Sequence, residues 1–171
     1  MKFMDTKSID LQLLEALQTD ASLSNQALAE RFGLSPPTSM RRVRRLKEAG
    51  WFERQVVILD AKKAGPLLTA VIEISLDRQD AESLDAFEAR IAADDEVQQC
   101  YRVSPGPDFV LIVVVRDMPA YQALAQRLFT ADANVRNVKA FFSIRRAKFS
   151  TRIPLPLSPL EASSDVPSSR S

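Results

Sequence analysis

Residues Gly33–Gly50 read GLSPPTSMRRVRRLKEAG. Ser35 stands where a helix N-cap is expected. Pro36 and Pro37 fall in the first turn, where a missing N–H costs nothing because those donors have no intrahelical partner. Gly50 can adopt the left-handed conformation that ends a helix. At about 100° per residue, Met40, Val43 and Leu46 point one way, while Thr38, Arg41, Arg42 and Arg45 fan around the other side. Such a helix is either an ordinary amphipathic helix with a solvated charged face or a helix that lies in a DNA major groove. The flanking sequence decides between them.

Upstream, Ile9, Leu13, Leu14 and Leu17 recur at helical spacing. Ser24 caps a second short helix, Asn25–Phe32, with Leu28 and Phe32 on one side. Gly33 then turns the chain into the opening stretch. No helix this short buries its apolar stripe alone, so a three-helix core joined by a tight glycine turn is expected, which is the helix-turn-helix arrangement. Downstream, Trp51 and Phe52 are expected to cap that core. Val56–Leu59 is a short strand-like run, and Lys62–Pro66 reads as a hinge.

A different pattern starts near Leu67. Ala70, Ile72, Ile74 and Leu76 alternate with Val71, Glu73 and Ser75, the mark of a strand with one apolar face. Asp80 caps a helix carrying Leu84, Phe87 and Ile91. Val97–Val103 is a second strand, Ser104–Asp108 a turn, and the apolar run Phe109–Val115 a central strand. Asp117 and Pro119 open a helix with Tyr121, Leu124 and Leu128 inward, and Val138–Ile144 alternates again. The order β-α-β-β-α-β is the ferredoxin-like plan, with both helices on one face of an antiparallel sheet. The other face, which includes Val71 and Phe141, is only partly polar and is a candidate subunit interface. The chain thus divides into a helix-turn-helix domain (1–52), a linker strand and hinge (53–66), a ferredoxin-like domain (67–150) and a tail rich in proline and serine (151–171), which composition marks as disordered or loosely docked.

The 171 residues carry a net charge of only +1. Charge is nonetheless localised: residues 31–54 hold seven basic and two acidic residues, whereas 61–150 hold twelve of each sign. A polyanion-binding module attached to a neutral one has this distribution. The single cysteine, Cys100, excludes an intrachain disulfide and fits a reducing, cytoplasmic compartment. No apolar run is long enough to span a bilayer. The absence of histidine removes the commonest general base and the commonest transition-metal ligand together. No catalytic set, metal cluster or cofactor loop is recognisable, so no cofactor is expected.

The run LAERFGLSPPTSMRRVRRLKEAG, from Leu28 to Gly50, resembles the helix-turn-helix of the Lrp/AsnC family of transcription regulators: Leu28, Ala29, Gly33, Leu34, Ser35, Arg41, Arg42, Val43, Arg45, Leu46 and Gly50 all fit its pattern. The likeness extends over roughly residues 5–150. It implies an α+β protein, with a winged helix-turn-helix followed by a βαββαβ effector and oligomerisation domain of the RAM type. It implies double-stranded DNA as partner, with Ser35, Thr38, Arg41, Arg42 and Arg45 facing it, and homodimers that often assemble into octamers. It also implies a small effector, commonly an amino acid, near Ser104, Gly106, Asp108 and Ser143. Here Pro105 stands where the family usually has glycine, and Pro37 where it often has serine. Two other readings compete. One is an architectural DNA-binding protein of low sequence preference. The other is a tetrapyrrole-acting enzyme of the same architecture, the sirohaem decarboxylases, against which the lack of histidine speaks.

Overall fold

The computed structural model describes residues 8–61 and 63–156 and divides the chain into two compact units, one built from residues up to Val57 and from Phe149 onward, the other from Ile58–Lys148. The helical unit holds α1 (Ser8–Thr19), α2 (Asn25–Arg31) and α3 (Pro36–Glu48). Ser24 caps α2 through its side chain, which accepts from Ala27 N. Gly33, at φ +62°, makes the turn into α3, and Leu34 N closes back onto Ala29 O at 2.8 Å. Leu13, Leu14, Ala16, Leu28 and Leu46 form the buried cluster, with Val43, Phe52 and Leu155 packed against it. Phe52 therefore closes the small core as expected, whereas Trp51 stays 41% exposed.

The sheet unit runs β1 (Leu68–Leu76), α4 (Ala81–Ala92), β2 (Val97–Arg102), β3 (Phe109–Val115), α5 (Met118–Ala125) and β4 (Val135–Phe142). Its strand order is β2-β3-β1-β4 and every neighbouring pair is antiparallel, as in the ferredoxin-like plan. The alternation read in β1 is real: Ala70, Ile72, Ile74 and Leu76 are fully buried against Phe87, Ile91 and Leu124 of the helices. Asp80 and Asp117 cap α4 and α5 with their carboxylates. A π turn, Gln126–Thr130, continues α5, with Ala131 N reaching back five residues to Gln126 O. It buries the consecutive residues Leu128 and Phe129. Cys100 is half-buried on the core side of β2, and burial pushes its thiol up.

Three expectations need correction. Val56–Leu59 is extended but pairs with no other described strand, and all four residues are more than half exposed, because no neighbour supplies a ladder. The last strand begins at Val135 rather than Val138 and ends at Phe142, whose ring meets Tyr121 edge-on at 4.9 Å. The tail is not free from residue 151: Ile153 hydrogen-bonds to Gln18 of α1, Arg152 pairs with Glu15, and Leu155 joins the helical core. Its remainder, from residue 157, lies outside the described residues.

Candidate functional site

Helix α3 starts at Pro36 with Ser35 in N-cap geometry. The Ser35 side chain makes no cap bond to the helix backbone, and the prolines at the first two helical positions offer no N–H there. Instead, the Ser35 hydroxyl donates to the Thr38 hydroxyl at 2.8 Å. At the far end Gly50, at φ +76°, lets Trp51 N bond back to Leu46 O.

The inward face of α3 is not quite the one the apolar residues suggest. Ser39 is fully buried and Met40 is 55% exposed. Ser39, Val43 and Leu46 face the core, and the small serine admits close approach where a methionine would not fit. The inward face is thereby shifted by roughly 30–50° from the expected phase, with Val43 and Leu46 common to both. Arg42 consequently turns inward. Its Nη1 donates to Asp10 Oδ1 at 2.8 Å, and its Nε is buried with no partner among the described residues. Arg45 also pairs with Asp10, through Oδ2. Asp10 has a side chain only 2% exposed and sits in the first turn of α1, between the two guanidinium groups.

Of the residues expected to face DNA, Ser35, Arg41 and Arg45 are exposed and Thr38 is half-buried. Arg42 is the exception, with a side chain 21% exposed and engaged by Asp10. The outward stripe consists of Pro37, Met40, Arg41 and Arg44, with Lys47 beside it. Arg44 also forms a 2.8 Å ion pair with Glu48 one turn on, and that bond raises its already high pKa. Sequence reasoning misses Met40, Arg44 and Lys47. The spacing Ser39–Val43–Leu46 fits a buried stripe as well as Met40–Val43–Leu46 does, and it is the signal that could have found them.

The turn between β2 and β3 contains a cis Ser104–Pro105 bond, and Gly106 has φ +123°, a value that favours glycine. Asp108 anchors the turn to β1. Its N donates to Ile74 O at 2.8 Å, and its Oδ2 accepts from Leu76 N at 2.7 Å and from Gln79 Nε2 at 3.3 Å. Ser143 extends the β4 ladder at the opposite end of β1, where its N donates to Thr69 O at 2.8 Å. Thr69 and Leu76 are separated by roughly 23 Å of strand at about 3.3 Å per residue. One chain therefore brings Ser104, Gly106 and Asp108 together and leaves Ser143 at the other end of the sheet. The described residues contain no group of acids and cysteine arranged to hold a metal ion, and no helix among them is long and apolar enough to cross a membrane.

Comparison with known proteins bears on both units. Residues 7–53 match the model of a winged helix-turn-helix DNA-binding domain, and residues 69–153 match that of the Lrp/AsnC ligand-binding domain. A leucine-responsive regulatory protein of Rhizobium meliloti is 34% identical, over 89% of this chain and 97% of its own length. A Bkd operon transcriptional regulator of Pseudomonas aeruginosa is 33% identical, over 86% and 96%. Among solved structures, an AsnC family transcriptional regulator from Agrobacterium tumefaciens superposes with a TM-score of 0.80 at 32% identity, covering 88% of this chain and 97% of that one. A transcriptional regulator from Neisseria meningitidis, solved as its L-Met complex, gives 0.79 at 26% identity, covering 86% and 96%. These relatives are transcriptional regulators, not enzymes. With a DNA-binding helix-turn-helix before an effector-type sheet domain, the chain belongs to the Lrp/AsnC family of DNA-binding transcriptional regulators.

Proposed function

We propose that this regulator reads a specific DNA sequence with the outer face of α3, as a homodimer, and that a small effector such as an amino acid, bound by the sheet unit, modulates its DNA binding or assembly. The observation that carries the reading is the outward stripe Pro37–Met40–Arg41–Arg44, in which guanidinium groups flank an apolar side chain on one exposed helix face. Arginine supplies bidentate contacts to guanine edges and charge to phosphates, and Met40 can meet a thymine methyl group. Ser35 and Thr38 offer hydroxyls at the helix start in place of the N–H groups that Pro36 and Pro37 lack. Arg45, 54% exposed in its side chain, reaches phosphate while remaining tied to Asp10, and Arg42 serves from behind.

One such helix reads too few base pairs for a genomic search, so two copies are needed. The sheet face away from the helices supplies a surface for pairing: Val71, Val110, Ile112, Val114 and Phe141 lie on it, partly exposed, and Val71 stands opposite both Ile112 and Phe141. The separation of Ser143 from the Asp108 turn favours an effector site completed by residues of more than one copy. The L-Met complex of one structural neighbour and the leucine-responsive name of one relative support an amino acid as the effector class.

The test is selection of duplexes from a random pool by the purified protein, followed by footprinting with and without leucine and methionine. Recovery of a shared two-fold motif, protected less or more when one amino acid is added, is the expected result. Recovery of unrelated sequences, with a footprint indifferent to both amino acids, would overturn the reading and leave an architectural role.

A further inference from the structure

Helix α1 carries two buried carboxylates, and arginines from different parts of the chain meet them. Asp10 takes Arg42 and Arg45 of α3. Glu15, whose side chain is 9% exposed, takes Arg152. Five residues rotate a helix by about 140° beyond one full turn, so the two acids occupy different sides of α1.

The segment around Arg152 is seated by more than that ion pair. The Gln18 side chain bonds both ways with the Ile153 backbone: Nε2 donates to Ile153 O at 2.8 Å, and Ile153 N donates to Oε1 at 2.9 Å. Gln18 Nε2 also donates to Glu15 Oε2 at 2.7 Å, which joins the two α1 residues into one receptor. Leu155 then packs against the cluster that holds Leu13, Leu28 and Leu46. A side-chain amide that satisfies both backbone groups of one residue does what a neighbouring strand would do, and so the extended segment, in which Pro154 follows Ile153, is held without a sheet. Lys148 belongs to the sheet unit and Phe149 to the helical one, so the chain passes between the units a second time here, in addition to the passage at 57–58.

From this arrangement we infer that the C-terminal segment, residues 149–155, is a positioning element of the DNA-reading helix: it holds α1 on one side while α1, through Asp10, holds Arg42 and Arg45 on the other. Arg152, Leu155 and Gln18 thus act on DNA binding without touching DNA. The inference rests on α3 being the helix that faces DNA. Coupling of this kind needs a contiguous chain of packed and bonded groups, and Arg152–Glu15–α1–Asp10–Arg42 is one.

The experiment uses the full chain and a duplex selected by the wild-type protein. Gln18→Ala, Arg152→Ala and Arg152→Lys are compared at a temperature where far-ultraviolet circular dichroism shows each one fully folded. Gln18→Ala and Arg152→Ala are expected to bind DNA about five- to tenfold more weakly, within the range by which mutations along a coupled network act, and Arg152→Lys is expected to recover most of the loss. Folded variants with wild-type affinity would overturn the inference and leave the segment a plain structural appendage. If Arg152→Ala does not fold, Gln18→Ala decides alone, because it leaves both charges of the Glu15–Arg152 pair in place. Arg41→Ala is measured alongside. Undiminished binding by that variant removes the reading of α3 itself, whereas weak binding by Arg41→Ala with normal binding by Gln18→Ala removes only the positioning role.

Discussion

Nη1 of Arg42 lies 2.8 Å from Oδ1 of Asp10, and this bond turns one arginine of α3 away from solvent and into the three-helix core. The helix proposed to face DNA is thus also tied, on its inner side, through its own positive charge.

Removing that arginine acts first on stability. Arg42→Ala leaves the buried Asp10 carboxylate with Arg45 as its remaining ion-pair partner. Breaking a fully buried pair costs about 3–5 kcal/mol. With Arg45 still in place, a loss nearer about 1–3 kcal/mol is expected for the helical unit. Thermal denaturation followed by circular dichroism should show the helical signal melting earlier than in the wild type. An unchanged midpoint would show that the Asp10 interaction is not stabilising.

Arg41 and Arg44 should behave in the opposite way. Both project outward from α3, so alanine at either position is expected to weaken DNA binding with little change in melting temperature. Removing one arginine that neutralises a phosphate should flatten the dependence of log affinity on log salt by about 0.9. Titrations at several salt concentrations test this, and a slope identical to the wild type for both variants would contradict the outward-stripe assignment.

Asp108 combines two roles that a single substitution can separate. Asp108→Ala removes the acceptor that holds Leu76 N at 2.7 Å and frees the β2–β3 turn. A buried backbone donor left without its partner costs about 1–3 kcal/mol. Asp108→Asn retains an acceptor oxygen and should restore stability while removing the charge. If an amino acid's ammonium group is held there, Asp108→Asn will be stable yet weakened in its response to leucine or methionine, as read by calorimetry.

Asp132 supplies a pH signature for the sheet unit. Burial pushes its carboxyl up, but the Asn134 N–H and the Arg90 guanidinium, at 2.5 Å, together outweigh that and hold it below the usual carboxylate value. A group depressed on folding adds stability above its unfolded pKa, and the contribution is lost as pH falls through the lower folded value. The sheet unit should therefore lose this contribution only in acid below about pH 4. Arg90→Ala should raise the Asp132 titration midpoint, as carbon-detected NMR can follow.

The pairing surface is open to direct test. Ile112→Glu places a charge at a partly exposed position of the sheet face opposite Val71, where a monomer tolerates it and a packed interface does not. Sedimentation velocity should show wild-type dimers or larger species and smaller species for the variant, with the helical content unchanged. Equal sedimentation of the two proteins would place the dimer interface elsewhere.

Much of this molecule is written in short-range chemistry. Alternation in β1, the valine-rich β3, the aspartates before α4 and α5, and the glycines at 33 and 50 each act within a few residues, through side-chain period, capping or allowed backbone angle. The element order follows from them, and the localised positive charge marks α3 without reference to any fold. The phase of α3 is different in kind. Whether Ser39 or Met40 faces inward depends on how closely α3 approaches its neighbours, and whether Arg42 is a surface charge depends on Asp10, thirty-two positions away. The docking of residues 152–155 on Glu15 and Gln18 likewise spans nearly the whole chain, and proline-rich composition conceals it. Long-range pairs of this sort leave no periodic trace, because a single ion pair or amide bond imposes no spacing on the residues around it. Local sequence thus set the elements and the family, and tertiary packing settled which arginines look outward and which hold α3 from within.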